Sequence, residues 1–438
     1  MDMLSQLRSG ELAGSKRLDL SCGLTEFPRE IFDLADTLEI LNLSGNRLSD
    51  LPPDLPRFRN LKILFCSDND FIHLPPVIGA CEKLEMVGFK ANRIEEVDAA
   101  AFPPGLRWLI LTDNRIRKLP GTIGRCGRLQ KLMLAGNQLD HLPDEMAACV
   151  SLELIRLSAN RFREFPEWLF ELPRLSWLAL AGNPWSEQRG ESSMMEIDWE
   201  NLEIGQKLGE GASGMIYQAD WRSSFGAELR PVAVKIFKGE MTSDGLPGNE
   251  MDVCLAAGNH PNLIEVLAKI SDHPEDRQGL VMSLVDPGFV NLAGPPDFNT
   301  CTRDVYPADR RFDLANVLRM TMDLSSVAAH LHNRGIVHGD LYAHNVLWNA
   351  GGKALLGDFG AASFYPRDGG LERIEVRAFG CLLEELLERC DAGEDDSGVA
   401  SGLRELVADC FSEKVGKRPN FEEIVLRLDQ LAGVGNRS

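Results

Sequence analysis

Several residues in the second half of the chain have the types and spacing needed to hold a polyphosphate. A glycine-rich stretch, LGEGASGMIYQA, begins at Leu208, and a lysine follows in VAVK at Lys235. Asp340 and Asn345 come next, and a further aspartate lies at Asp358. Glycines let backbone amides approach phosphate oxygens, and carboxylate and amide oxygens are ligands that Mg²⁺ prefers. These residues predict a site for a metal-bound phosphate compound.

Further motifs accompany these residues in a defined order. They are Glu250, His260-Pro261-Asn262, His338-Gly339 before Asp340, Phe359-Gly360 after Asp358, and Arg418-Pro419. In that order the set resembles the eukaryotic-type protein kinases, over about residues 202–431. The resemblance implies an α+β bilobal protein kinase fold with ATP and Mg²⁺ as cofactors.

The resemblance also implies a role for each catalytic motif residue. Lys235 would contact the α- and β-phosphates and pair with Glu250, with Asp252 the less favoured partner. Asp340 would be the base or orienting carboxylate for the acceptor hydroxyl, while Asn345 and Asp358 would bind Mg²⁺. The residues implied to surround the nucleotide are Leu208, Gly209, Gly211, Gly214, Ile216, Ala233, Leu284 and Leu347.

The chain departs from the family pattern around the catalytic aspartate. Gly339 stands where kinases regulated by loop phosphorylation have arginine, and Tyr342 stands where serine/threonine kinases usually have lysine. His344 occupies the position of an arginine in tyrosine kinases. The sequence 375–380 (EVRAFG) resembles the start of the large C-lobe helix and begins within fifteen residues of Gly360. We therefore expect a short activation segment and no regulation through a phosphate-binding arginine.

Three functions fit these motifs. The preferred one is an ATP-dependent protein kinase acting on serine or threonine, although Tyr342 and His344 leave tyrosine specificity open. One alternative is a pseudokinase scaffold that binds nucleotide without transfer. The other is a small-molecule phosphotransferase, because the HGDxxxxN pattern is similar to that of aminoglycoside and choline phosphotransferases.

The first half of the chain is built from internal repeats. Asparagines recur at intervals of 22 or 23 residues, at Asn46, Asn69, Asn92, Asn114, Asn137, Asn160 and Asn183. Each lies in the frame L-x-x-L-x-L-x-x-N-x-φ-x-x-φ-P, where φ is apolar, as in Leu38–Pro52. The frame resembles the leucine-rich repeat and implies an α/β solenoid of about eight repeats. Cys81, Cys126 and Cys149 share one position of the frame and are expected in its core.

The strand of each repeat is expected to expose alternate side chains on the concave face of the solenoid. Many of these side chains are apolar, and a contiguous apolar surface more often marks a binding site than an accident. We therefore expect a protein or peptide ligand there. The alternative is that these side chains pack on one another or on the second domain. The proposed contact residues are Phe65, Trp108, Ile110, Met133 and Trp177.

Length, charge and hydropathy indicate the domain limits, the excluded partners and the location of the protein. The 438 residues suit several domains, which we place at 1–185 (repeats), 186–200 (linker) and 201–435 (kinase). The net charge of −20 disfavours nucleic acid and anionic membranes as partners. No apolar stretch suggests a signal peptide or a membrane span, so we expect a cytoplasmic protein.

Overall fold

A computed structural model of the chain divides into two compact units. One comprises Met1–Leu175 with Asn183–Trp185, and the other comprises Ser176–Gly182 with Ser186–Ser438. The structure describes residues 3–186, 195–211, 213–222, 229–239, 241–242, 244–365, 370–391 and 398–435.

The first unit is a solenoid of short parallel strands that starts with helix α1 (Met3–Arg8). Its strands are β1 (Arg17–Asp19), β2 (Ile40–Asn42), β3 (Ile63–Phe65), β4 (His73–Leu74), β5 (Met86–Gly88), β6 (Glu96–Val97), β7 (Trp108–Ile110), β8 (Lys131–Met133) and β9 (Leu154–Arg156). β4 pairs with β6, and the others form one parallel ladder in chain order. Return segments contain 3-10 helices at Arg29–Leu34, Leu55–Arg57, Pro76–Ala80, Gly121–Arg125, Asp144–Ala148 and Glu167–Glu171.

The recurrent asparagines tie neighbouring repeats together, as Asn137 illustrates. Its amide nitrogen donates to the carbonyl oxygens of Leu111 and Leu134 at 2.9 and 3.0 Å. Its side-chain oxygen accepts from the backbone N–H of Ile116 at 3.0 Å. One buried amide therefore satisfies backbone groups from neighbouring repeats.

Replacing Asn137 with alanine should destabilise the solenoid. The change leaves three buried backbone partners without this side chain, and each such loss costs about 1–3 kcal/mol. We expect the free energy of unfolding, measured by chemical denaturation, to fall by about 3 kcal/mol in total. Glu164→Ala, at an exposed position of the next repeat, is the matched control. A loss no larger than that of the control would contradict this account of the asparagines.

The cysteines at the shared repeat position lie in the core of the solenoid, as expected. Cys81, Cys126 and Cys149 are all buried. Burial raises the pKa of the Cys81 and Cys126 thiols to about 11 and that of Cys149 to about 12. These thiols are therefore apolar packing groups at neutral pH.

The apolar row predicted for the concave face is only partly accessible. Phe65, Trp108 and Ile110 are half-buried. Met133 is 8% exposed and accepts a contact from the indole N–H of Trp108 at 3.4 Å, and Trp177 is 1% exposed. The expectation that Met133 and Trp177 offer a binding surface is corrected, because strand alternation predicts which way a side chain points but not what covers it.

The second unit combines a sheet-rich part with a helical part, as the bilobal expectation requires. Its strands are β10 (Trp177–Ala179), β11 (Glu196–Asp198), β12 (Leu202–Glu210), β13 (Gly214–Arg222), β14 (Leu229–Phe237), β15 (Val266–Ser271), β16 (Gly279–Ser283), β17 (Val290–Asn291), β18 (Ile336–Val337), β19 (Val346–Trp348), β20 (Ala354–Leu356) and β21 (Ser363–Phe364). Its helices are α2 (Pro247–Ala257), α3 (Leu314–His332), α4 (Glu372–Glu388), α5 (Val399–Cys410) and α6 (Phe421–Gly435). Three 3-10 turns lie at Trp199–Asn201, Ala343–Asn345 and Val415–Lys417.

The largest sheet of this unit has the strand order β11-β15-β16-β14-β13-β12. Val232, Val234 and Val281 are completely buried in its core. β11 falls within the predicted linker 186–200, yet it pairs in parallel with β15. The linker prediction is therefore corrected for residues 196–198, while residues 187–194 lie outside the described part of the chain.

The helical part packs α3 against α6 and α4 against α5. Asp313 caps the N-terminus of α3, where its carboxylate accepts from the backbone N–H of Asn316 at 2.6 Å. Leu324 and Leu331 on α3 are completely buried. Among the helices in the described ranges, none is long and apolar enough to cross a membrane.

Candidate active site

The glycine-rich stretch forms the turn of a β-hairpin. β12 and β13 pair antiparallel, and the N–H of Gly211 donates to the carbonyl of Gly214 at 2.9 Å. A Cβ at Gly214 would lie 2.6 Å from the carbonyl oxygen of Ile236, so packing demands glycine there. A Cβ at Gly209 or Gly211 would meet no atom within 4 Å. No packing contact therefore requires glycine at those two positions.

Lys235 lies within β14, between Ile216 on one neighbouring strand and Leu280 on the other. Its ammonium forms an ion pair with the Glu250 carboxylate on α2, the partner preferred to Asp252. Both groups are buried. Burial by itself lowers the pKa of Lys235, but the charges of Glu250 and Asp358 outweigh it and raise that pKa above its ordinary value. The lysine is therefore a buried cation.

A cavity of about 130 Å³ joins the glycine hairpin to the lysine pair. Its charged lining residues are Lys235, Glu250 and Asp358. Phe359, which follows Asp358, also lines it. The other lining residues are Gly211, Ser213, Gly214, Ile216, Cys254, Ile264, Val266, Leu280, Met282 and Gly357. The structure thus brings together in one cavity most of the residues predicted to contact phosphate.

Five predicted nucleotide contacts do not line this cavity. One of them, Gly209, lies in β12 opposite Ile216 of β13. Leu208 is 47% exposed, Ala233 is buried in the sheet, and Leu347 is half-buried on β19. Leu284 lines a separate groove of about 450 Å³ with His260 and Lys353. The contacts of Leu208, Ala233, Leu284 and Leu347 with a nucleotide therefore stay a prediction.

Asp340 and Asn345 belong to one loop, residues 338–345, which we call the catalytic loop. The amide nitrogen of Asn345 donates to the Asp340 carboxylate and to the Asp340 carbonyl oxygen, both at 2.9 Å. The carbonyl of Asn345 accepts from the N–H of Gly357, directly before Asp358, at 3.0 Å. Hydrogen bonds of Asn345 thus connect Asp340 to the backbone next to Asp358. The negative charge of Asp358 in turn acts on the Lys235 ammonium and raises its pKa.

Comparisons with known proteins assign both halves of the chain. A family model described as "Protein tyrosine and serine/threonine kinase" matches residues 202–373. Two leucine-rich repeat models match residues 127–184 and 37–58. The chain carries leucine-rich repeats and a protein kinase domain.

The relatives of the kinase domain are distant. The serine/threonine/tyrosine-protein kinase HT1 of Arabidopsis thaliana is 22% identical over 300 residues, which is 56% of this chain and 70% of that protein. The serine/threonine-protein kinase A-Raf of Homo sapiens is 20% identical over 289 residues, 54% of this chain and 44% of A-Raf. The probable serine/threonine-protein kinase gdt4 of Dictyostelium discoideum is 28% identical over 154 residues, 35% of this chain and 8% of gdt4. The chain thus spans less than half the length of the last two.

His344 in the catalytic loop of the kinase domain is held by a residue that the sequence did not single out. Asp304 accepts from the backbone N–H of His344 at 2.9 Å and lies 2.7 Å from its ring Nδ1. Burial lowers the pKa of His344, but the hydrogen bond and charge of Asp304, with further contributions from Asp340 and Asp358, raise it above its ordinary value. Asp304 comes from the loop before α3, about forty residues away in sequence, and no local pattern could have found it.

Glu375 connects the catalytic loop of the kinase domain to helix α3. Its carboxylate accepts from the backbone N–H of Gly339 at 2.6 Å and lies 2.7 Å from His332 Nε2 on α3. Burial raises the pKa of Glu375, but the hydrogen bond and charge of His332 outweigh it and hold that pKa below its ordinary value. The similarity of 375–380 to the start of a C-lobe helix located this residue without indicating its contact.

Glu375→Gln should destabilise the kinase domain, because the amide NH₂ replaces an oxygen that faces a donor. Breaking a buried pair of this kind costs about 3–5 kcal/mol. The depressed pKa means that the stabilisation is present above the ordinary value of 4.5 and is lost as pH falls through the folded-state pKa. Thermal unfolding at several pH values should therefore show a gap between wild type and variant that closes in acid. The exposed Glu405→Gln is the control, and a pH-independent gap would refute the linkage.

Proposed function

We propose that the kinase domain transfers the γ-phosphate of ATP to a serine or threonine hydroxyl of a protein. The observation that carries the proposal is the connected set of Lys235, Glu250, Asp358, Asn345 and Asp340. Such a set supplies the positive charge, the metal ligands and the acceptor for a hydroxyl proton that phosphoryl transfer needs. The names of HT1 and A-Raf, which include serine/threonine kinase activity, support the choice of acceptor.

The residues present fit ATP and Mg²⁺. When bound, Mg²⁺ would neutralise phosphate charge. Asn345 and Asp358 would be its protein ligands, because both carry hard oxygen donors. Within the described ranges no cluster of three or more His, Cys, Asp or Glu side chains could hold a metal ion alone. A site with one carboxylate and one amide suits Mg²⁺, which usually completes its shell with water and substrate phosphates.

The residues of the site have separate tasks in the proposed reaction. Lys235, kept cationic beside Glu250, positions and neutralises the phosphates. Asp340 orients the acceptor hydroxyl and takes its proton, and the amide of Asn345 fixes the carboxylate in place. Gly209 and Gly211 leave the backbone of the hairpin open to phosphate oxygens.

We further propose that the kinase does not depend on a phosphorylated activation loop. Only residues 361–371 separate Gly360 from α4. Tyr365, within this stretch, is buried, and its hydroxyl donates a hydrogen bond to the Glu372 carboxylate at 3.1 Å. Gly339 also provides no cation for a loop phosphate. Substrate selection would then rest on recruitment by the repeats, where Phe65, Trp108 and Ile110 remain candidates for partner contact.

The test is transfer of radiolabel from γ-labelled ATP by the purified full chain. We expect label on the chain itself and on a generic protein acceptor, with phosphoserine or phosphothreonine after hydrolysis. Nucleotide binding without any transfer would favour the pseudokinase. Label on amino sugars or choline but never on protein would favour the small-molecule phosphotransferase.

A further inference from the structure

Strand β10, which comes from the last repeat frame in the sequence, lies against the catalytic loop within the second unit. The indole of Trp177 stacks on the ring of Tyr342, with centroids 4.2 Å apart and an interplanar angle of 6°. The indole N–H donates to the carbonyl of Leu341 at 3.3 Å. Trp177 therefore contacts the two residues that directly follow Asp340.

Backbone contacts extend this attachment on either side of the stack. The N–H of Leu178 donates to the carbonyl of Gly339, the residue before Asp340, at 3.2 Å. The N–H of Leu180, the residue directly after β10, donates to the hydroxyl of Ser363 at 3.1 Å, on β21 after Asp358. β10 thus binds the chain before and after Asp340 and also the segment that follows Asp358.

Gly339 is adapted to this contact. Its φ of +71° lies in the left-handed region that favours glycine. A Cβ there would lie 2.5 Å from the carbonyl oxygen of Leu178 and 2.6 Å from that of Ala361. Any side chain at this position, arginine included, would displace β10 or the segment after Asp358. The close approach of Leu178 and Ala361 therefore excludes an arginine at this position.

The stacked pair is sealed from solvent. Trp177 is 1% exposed and Tyr342 is 4% exposed. Tyr342 also lies 4.9 Å, centroid to centroid, from His344, the neighbour of Asn345. Stacked aromatic rings stabilise a contact beyond the area they bury. A shift of the indole would consequently be transmitted to the residues on both sides of the Asp340–Asn345 hydrogen bond.

We propose that Trp177 is a positioning residue, through which β10 holds the catalytic loop in its transfer-competent conformation. This inference rests on the proposed function and specifies how the same site is kept active without a loop phosphate. Trp177 touches neither metal ligand nor reacting atom and acts through Tyr342 and Leu341.

The kinetic test compares Trp177→Leu with wild type in the full chain. Leucine keeps apolar bulk but removes the stack, so we expect kcat to fall at least about tenfold while KM for ATP stays within about threefold. Trp177→Phe keeps a ring on Tyr342 and should recover most of the loss. The control is Trp199→Leu, because Trp199 also packs on another ring, that of His273, at a centroid distance of 4.3 Å in the sheet-rich part of the same unit.

Hydrogen–deuterium exchange tests the inference independently of activity. Backbone amides of residues 338–345 should exchange at least about tenfold faster in Trp177→Leu than in wild type or Trp199→Leu. Unchanged exchange would overturn the proposal, as would unchanged kcat in an active enzyme. A wild type without transfer would refute the proposed function, while exchange would still decide the role of Trp177. If Trp177→Leu does not fold, Tyr342→Leu removes the same stack from the other side. Faster exchange of residues 338–345 in that variant supports the contact, and no change overturns it.

Discussion

Replacing Lys235 with methionine should reduce the rate of phosphoryl transfer by about 100- to 1000-fold, the loss typical of removing one preorganised hydrogen-bond donor. Lys235 is the cation in the cavity that also holds Asp358, and its raised pKa keeps it charged. The same change leaves Glu250 buried without its partner, which costs about 3–5 kcal/mol of stability. We therefore expect both slower transfer in a radiolabel assay and a lower melting temperature.

A double variant separates these two effects. In Lys235→Met with Glu250→Gln neither partner carries a charge, so most of the lost stability should return while transfer stays low. Lys269→Met, on β15 of the same sheet, is the matched control. If the double variant regained transfer as well as stability, Lys235 would have only a structural role.

Local repetition explains what the sequence could predict about the solenoid. Each asparagine bonds within its own repeat and to the adjacent one, as Asn137 does with Leu134 and Leu111. A fixed spacing of 22 or 23 residues is therefore enough to locate each turn. The pairing of Lys235 with Glu250 was likewise predictable, because an ordered set of motifs implied it.

Long-range contacts explain what the sequence could not predict. Alternation along β10 placed Trp177 on a binding face, whereas the ring packs on Tyr342, 165 positions further along the chain. Gly339 indicated a missing arginine, but the sequence did not show that the carbonyls of Leu178 and Ala361 leave no room for a side chain there. β11 is only three residues long, and its single apolar residue, Ile197, is too short a pattern to reveal that the strand pairs with β15.

Asp340→Asn is the variant whose effect depends most directly on the proposed chemistry. Asparagine can still accept the hydrogen bond that the Asn345 amide donates at 2.9 Å, so the loop geometry should survive. The amide cannot take a proton from an acceptor hydroxyl. Loss of a general base reduces the rate by about 10²–10⁴-fold.

The decisive measurement is label transfer from γ-labelled ATP to protein by wild type and Asp340→Asn, with nucleotide affinity of both measured by calorimetry in Mg²⁺. We predict transfer by wild type, a loss of at least about 100-fold in the variant, and affinities equal within about threefold. Equal transfer by the two proteins would contradict the account, because Asp340 would then not be part of the site that performs the reaction.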